Sequence, residues 1–157
     1  NGAVPMGAVV ARSEIYQTFM AEGGPDYMLE FPHGYTYSAH PVACAAGIAA
    51  LDILEREQLP QRVAELAPYF EAGLHQLVGA PHVSDIRNYG FAGALQLEAL
   101  PGEPARRPFE LAMRMWQKGF YVRYGGNTIQ LGLPFVIEKE QIDSLLGALR
   151  ESLVELA

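Results

Sequence analysis

The chain has 157 residues, of which 50% are hydrophobic, and its formal net charge at pH 7 is −7. A chain of this length and composition can bury a core of its own, which excludes intrinsic disorder. The negative charge argues against nucleic acid or an anionic membrane as a partner, because both bind basic patches.

The N-terminal third of the sequence predicts a strand, a short helix and a loop that leads into a longer helix. The apolar run 7–11 predicts a buried strand, and Ser13 is a good N-cap for the short helix. The Gly- and Pro-containing stretch 22–31 predicts an irregular loop. Pro41 has its φ preset for a first helical turn, so a helix is predicted over 41–57, and its many Ala residues allow close packing.

The segment in front of this longer helix carries hydroxyl side chains. Thr36 and Ser38 lie between Gly34 and Pro41. A helix N-terminus offers free N–H groups and the positive end of the helix dipole, so such a loop can hold an anion such as phosphate. The residues alone favour a simpler interpretation, a capped loop on a buried helix, because caps outnumber ligand sites.

The remainder of the chain predicts a small α/β domain. A helix from Pro60 carries an apolar stripe and ends near Gly79, and Pro68 inside it predicts a kink. It is followed by two strands, a helix that ends at Gly119, a hairpin around Gly126 and an amphipathic helix. Their order, β-β-α-β-β-α, predicts a sandwich with helices on one face of a sheet. The predicted ranges are 83–88, 91–97, 108–118, 120–124, 128–131 and 138–156.

The residue pattern indicates neither a metal site nor a catalytic group. The four histidines lack zinc-ligand spacing with the single cysteine, Cys44, which we interpret as a buried structural thiol. Lys118 and Lys139 are interpreted as solvated charges on helix surfaces. Three large residues of the helix over 108–118 are interpreted as core rather than pocket: Met113, Met115 and Trp116.

Two N-terminal motifs resemble a known enzyme family. The stretch His33-Gly34-Tyr35-Thr36-Tyr37-Ser38-Ala39-His40-Pro41 and the Val-Ala-Cys-Ala-Ala-Gly after it resemble the loop and helix of class III aminotransferases, which are pyridoxal-phosphate enzymes. The opening Asn1-Gly2-Ala3-Val4-Pro5-Met6-Gly7-Ala8-Val9 resembles the segment just after their Schiff-base lysine. Most of the family has Gly before His-Pro. Ala39 instead resembles the branch that moves amino groups between β-alanine or other ω-amino compounds and pyruvate.

The resemblance covers essentially the whole chain and implies the α/β architecture of fold-type-I pyridoxal-phosphate-dependent transferases. Residues 1–58 would be the C-terminal tail of the large cofactor-binding domain, and residues 59–157 the C-terminal small domain, with a bridging helix over 59–79. The chain opens without an initiator Met or a signal peptide, and its apolar run after residue 41 is too short to span a bilayer. We therefore expect a fragment of a cytoplasmic enzyme. The resemblance implies that this enzyme is a homodimer or homotetramer.

The resemblance also implies roles for three residues. Thr36 matches the threonine that binds the cofactor phosphate of the neighbouring subunit, and Tyr35 would add its backbone N–H. Arg123 matches the arginine that clamps the substrate carboxylate, although on residue type alone a solvated or salt-bridged arginine is commoner. The Schiff-base lysine and the aspartate that pairs with the pyridine nitrogen would lie upstream of Asn1. The chain by itself is therefore predicted to hold no catalytic residue and to be inactive.

The predicted function of the parent enzyme is transfer of an amino group from β-alanine or a related ω-amino compound to pyruvate, with pyridoxal 5'-phosphate as cofactor. One alternative is a family relative with epimerase, aminomutase or decarboxylase chemistry. An alternative of another class is a non-catalytic α/β module for ligand binding or dimerisation.

Overall fold

The computed structural model describes residues 2–25, 27 and 34–156, and the chain divides into two compact units, Asn1–Glu57 and Gln58–Ala157. The first unit contains helices α1 (Ser13–Ala21) and α2 (Pro41–Arg56). Helix α2 starts at Pro41 as predicted. Half of the predicted loop 22–31, namely residues 26 and 28–31, lies outside the described residues.

The predicted strand over 7–11 is wrong. Residues 5–12 belong to no strand, and the side chains of Val9 and Val10 are 97% and 95% exposed. A strand requires a hydrogen-bonded neighbour, and no described residue supplies one for this segment. Ser13 is the first residue of α1, with Arg12 as the N-cap, so its predicted capping role is also wrong.

Helix α2 leaves most of its apolar side chains exposed. Ala43 is its buried residue, whereas Val42, Ile48 and Leu51 are exposed. Cys44 is half-buried rather than fully buried as predicted. An apolar helical face of this kind is typical of an interaction surface.

The second unit contains the predicted order of elements. After α3 (Leu59–His75) come β1 (Val83–Tyr89), β2 (Ala92–Leu97), α4 (Arg106–Gln117), β3 (Arg123–Gly125), β4 (Thr128–Gly132) and α5 (Lys139–Val154). The strands form one antiparallel sheet in the order β1-β2-β4-β3. The order β-β-α-β-β-α is thus confirmed. Helix α3 ends at residue 75, because residues 76–80 continue as hydrogen-bonded turns.

The core of this unit lies between the sheet and its three helices. All three helices contribute fully buried side chains that pack on one face of the strands, as predicted. These side chains include Phe70 and Leu74 from α3, Leu111 and Met115 from α4, Ile142 and Leu149 from α5, and Leu95 and Ile129 from the sheet. Because side chains alternate along a strand, the neighbours of these sheet residues point to the opposite face. Within the described residues, no helix is long and apolar enough to cross a membrane.

Gly93 in β2 lets α3 approach the sheet closely. A Cβ added there would lie 2.9 Å from Leu74 Cδ2 and 2.9 Å from Phe70 Cζ, and both side chains are fully buried. Gly93→Ala should therefore lower the free energy of unfolding by about 1–3 kcal/mol through overpacking. Gly132→Ala in β4 is the matched control, since its Cβ would meet nothing within 4 Å. Urea denaturation measures the free energy of unfolding of both variants. Equal losses in the two would contradict the close approach of α3 to β2 at Gly93.

Candidate functional site

A cavity of the second unit opens where β3 leaves the sheet. The predicted strand over 120–124 pairs with β4 only from Arg123 onward, where Arg123 lies opposite Gln130. Residues 120–122 are instead held at the end of α4: Gly119 has φ +88° and the Phe120 N–H donates to the Met115 carbonyl at 2.8 Å. This is a Schellman motif, and it redirects the chain. The gap left beside β4 is a cavity of about 710 Å³.

Three structural elements supply the wall of this cavity. Residues 120–123 form one part, residues 130–134 another, and the first turns of α5 a third. Most of the wall is apolar, with Leu131, Leu133, Ile137 and Leu145 among its residues. The polar side chains of the wall are those of Arg123, Gln130, Gln141 and Ser144. An apolar cavity with a few polar groups and one cation is suited to a small organic anion.

Arg123 differs from the other basic residues of the second unit. Between residues 58 and 156, all of which the structure describes, its exposed guanidinium makes no hydrogen bond, ion pair or ring contact. Every other Lys or Arg side chain there has such a partner, namely Arg62, Arg87, Arg106, Arg107, Arg114, Lys118, Lys139 and Arg150. The planar guanidinium of Arg123 is therefore available to donate two parallel hydrogen bonds to a carboxylate.

A second cavity, of about 270 Å³, shares Arg123 and is lined by aromatic and sulfur-containing side chains. Trp116 and Tyr121 form its edge-to-face pair, with ring centroids 6.1 Å apart. The interpretation of Trp116 and Met113 as core residues is wrong, since both are exposed and line this cavity. They lie on the flank of α4, beside the face that buries Met115 as predicted. The spacing of these residues along the sequence did not distinguish the flank of α4 from its buried face.

Thr36 and Tyr35 lie in the loop before α2, in the first unit. The Ser38 N–H donates to the Tyr35 carbonyl at 2.9 Å, and the Tyr35 N–H donates to Ser38 Oγ at 3.0 Å. Ser38 therefore stabilises the turn through its side chain as well as its backbone. A phosphate bound by the Tyr35 N–H would replace the Ser38 contact. Thr36 is exposed, and no described residue hydrogen-bonds to its hydroxyl.

The start of α2 is suited to an anion. Its N-cap, His40, makes no side-chain capping bond, and its first turn holds no acidic residue. The first-turn N–H groups have no partner within a helix, so they and the helix dipole favour a negative group. The residues present thus fit a phosphate. Ala39 before this helix has φ +57°, a left-handed conformation that costs a non-glycine residue roughly 1–2 kcal/mol.

Neither lysine is suited to form a Schiff base. Lys118 Nζ lies 2.9 Å from Glu155 Oε1 and 3.1 Å from Glu151 Oε2, so it is ion-paired rather than solvated. The hydrogen bonds to Glu155 and Glu151 raise the pKa of Lys118 above its ordinary value, which favours the protonated, non-nucleophilic form. Lys139 Nζ lies 5.1 Å from the centroid of the Tyr69 ring. Among the described residues, no cluster of His, Cys, Asp and Glu could hold a metal ion.

Known proteins resemble the chain over nearly its whole length. The family described as aminotransferase class III matches residues 1–153. A β-alanine–pyruvate aminotransferase of Pseudomonas aeruginosa is 60% identical over 157 residues, which are 100% of this chain and 35% of that protein. An ω-amino acid–pyruvate aminotransferase of Pseudomonas putida is 56% identical over 99% of this chain and 35% of its own length.

Solved structures agree with the sequence comparison. The amine transaminase of an uncultivated Pseudomonas species, solved in a PLP-bound form, superposes with a TM-score of 0.74 and 33% identity. The match covers 81% of this chain and 30% of that structure. The predicted α/β fold is thereby confirmed. The chain spans about a third of the length of the relatives it matches.

Proposed function

The chain belongs to the class III aminotransferase family, and on that basis we propose that it is the C-terminal part of an enzyme that moves an amino group from β-alanine or a related ω-amino compound to pyruvate. The proposed cofactor is pyridoxal 5'-phosphate. Both curated relatives described above are aminotransferases named for pyruvate, which favours amino transfer over epimerase, aminomutase or decarboxylase chemistry. Membership of an enzyme family also argues against a non-catalytic module.

The observation that carries the proposal is the unpartnered guanidinium of Arg123 on the wall of the large cavity. Pyruvate and β-alanine both carry a carboxylate, which a planar guanidinium can bind through two hydrogen bonds. The apolar wall supplied by Leu131, Leu133 and Ile137 can pack against the carbon atoms of such a substrate. Arg123 is therefore proposed to orient the acid substrate by its carboxylate.

In the proposed mechanism the bound cofactor supplies an electron sink, and the chain's own residues bind and orient. The Thr36 hydroxyl and the N-terminus of α2 would hold the cofactor phosphate, with the Tyr35 N–H as a further donor. Thr36 is proposed to serve the site of a neighbouring subunit in a homodimer or homotetramer. The exposed apolar face of α2 supports burial of this helix in a larger assembly.

The two compact units support a division into domains. We propose that residues 1–58 are the C-terminal tail of the large cofactor-binding domain of the enzyme and that residues 59–157 are its C-terminal small domain. The exposure of residues 5–12 supports contact of this segment with the rest of the large domain. The proposed location of the complete enzyme is the cytoplasm.

A comparison of the 157-residue chain with the complete enzyme tests this proposal. We expect the chain alone neither to transaminate nor to form an absorbing lysine adduct with pyridoxal phosphate, because Lys118 is ion-paired and Lys139 lies over an aromatic ring. The complete enzyme should do both. The measurement is absorbance after mixing, followed by borohydride reduction and peptide mapping. Stoichiometric labelling of Lys118 or Lys139 would show that this chain carries the reactive lysine and would overturn the assignment.

A further inference from the structure

The segment over residues 133–137 connects β4 to α5 and forms part of the wall of the Arg123 cavity. Leu133, Pro134 and Ile137 line that cavity. The Leu133 N–H donates to the Phe91 carbonyl at 3.1 Å, and the Ile137 N–H donates to the Pro134 carbonyl at 3.0 Å, which closes a turn. The tip of the turn, Phe135 and Val136, is exposed. The position of this wall therefore depends on whatever holds the turn.

Arg62 of helix α3 holds this turn from outside. Its Nε donates to the Phe135 carbonyl at 3.2 Å, and its Nη2 donates to the Ile137 carbonyl at 2.6 Å. The same Nη2 lies 2.9 Å from Glu138 Oε1, and Glu138 is the N-cap of α5. In the part of the chain that the structure describes, no other side chain hydrogen-bonds to residues 133–137.

We infer that Arg62 is a positioning residue, which fixes residues 133–137 as a wall of the carboxylate cavity and thereby sets the affinity of Arg123 for an acid substrate. This inference rests on the proposed function of Arg123. A bidentate contact tolerates little displacement of its ligand, so a wall that moves weakens the bound geometry. Arg62 meets these three acceptors through two of its guanidinium nitrogens, Nε and Nη2. A lysine ammonium, which is a single point charge, cannot reproduce that planar arrangement of donors.

Three variants of the complete enzyme test this role. Arg62→Gln removes the fork, Arg62→Lys retains the charge, and Arg150→Gln is the matched control. Arg150 also belongs to a helix of this unit and donates to a backbone carbonyl, that of Gln76 at 3.0 Å, but it does not line the Arg123 cavity. The control removes an arginine-to-carbonyl bond of the same kind without touching the cavity wall.

Carboxylate affinity is measured with propionate as the probe, because it carries the carboxylate without a transferable amino group. Isothermal titration calorimetry should show a dissociation constant about tenfold higher in Arg62→Gln, an intermediate value in Arg62→Lys and no change in Arg150→Gln. In steady-state assays the KM for β-alanine should rise by the same factor in Arg62→Gln, with kcat within about twofold of the wild type. A general loss of structure would lower kcat and the amount of active enzyme instead.

Hydrogen exchange of the ligand-free protein gives a readout that is independent of turnover. Peptides covering residues 133–141 should exchange about tenfold faster in Arg62→Gln than in the wild type. Their exchange rate should be unchanged in Arg150→Gln. Unchanged exchange, or faster exchange with unaltered propionate affinity, would overturn the inference. If the complete enzyme failed to transaminate but Arg62→Gln still weakened propionate binding, the proposed function would fall and the role of Arg62 would stand.

Discussion

Replacing Arg123 by alanine should lower kcat/KM of the complete enzyme for β-alanine and for pyruvate by roughly one to two decades. The reason is loss of a charge-assisted contact to the substrate carboxylate, since the guanidinium has no partner among the described residues that could account for a structural role. Amine donors that lack a carboxylate gain nothing from Arg123, so their rates should be largely spared. Arg123→Lys should recover only part of the loss, because a point charge cannot reproduce the fork.

The measurement is a pair of half-reaction rates, acid donor against amine donor, for each variant. Arg87→Ala is the matched control, since Arg87 is also an exposed strand arginine of the sheet but is paired with Asp85 at 3.2 Å. It should leave both half-reactions unchanged. Equal losses on acid and amine donors in Arg123→Ala would show that Arg123 is structural, and the carboxylate contact would have to be sought elsewhere.

Phe70→Ala should have the largest effect on stability, lowering the free energy of unfolding of the second unit by about 3–5 kcal/mol. The Phe70 side chain is fully buried between α3 and the sheet, and its ring meets that of Phe91 edge to face at 6.5 Å. Removing it leaves a cavity that the surrounding close-packed side chains cannot fill. Such a loss is a large share of the total stability of a domain, about 5–15 kcal/mol.

Phe109→Ala is the control for Phe70→Ala, because it removes the same atoms from a residue that is 45% exposed. Its cost should be well below that of Phe70→Ala, since nearly half of the residue already contacts water. The variant also removes the edge-to-face contact of Phe109 with Tyr124. Urea denaturation followed by circular dichroism measures both variants. A Phe109→Ala cost equal to that of Phe70→Ala would contradict the assignment of the core.

Local sequence rules predicted the second unit well because its elements carry their own signals. The amphipathic spacing in α5, the left-handed stop at Gly119 and the turn at Gly126 are encoded within a few residues each. The strand over 7–11 failed because pairing depends on residues far along a chain, and the described residues offer no partner strand. Apolar character alone therefore predicted a strand that is not formed here.

The candidate site was likewise only partly predictable from the sequence. The family resemblance singled out Arg123, but the cavity beside it arises from the divergence of residues 120–122, which shortens β3. Arg62 was not predicted, because it donates to the backbone carbonyl of a residue 75 positions away and such a contact leaves no side-chain pattern. The spacing of Glu138 and Gln141, typical of a capping box, was the available local signal that the turn before α5 is held in place.

The most direct test of amino transfer follows the nitrogen atom. The complete enzyme is incubated with pyridoxal phosphate, ¹⁵N-labelled β-alanine and unlabelled pyruvate, and the products are identified by mass spectrometry. We expect ¹⁵N-labelled alanine, formed in equal amount to the oxo acid derived from β-alanine. Amino transfer would be contradicted if pyruvate remained unconverted while β-alanine was decarboxylated, isomerised or left intact.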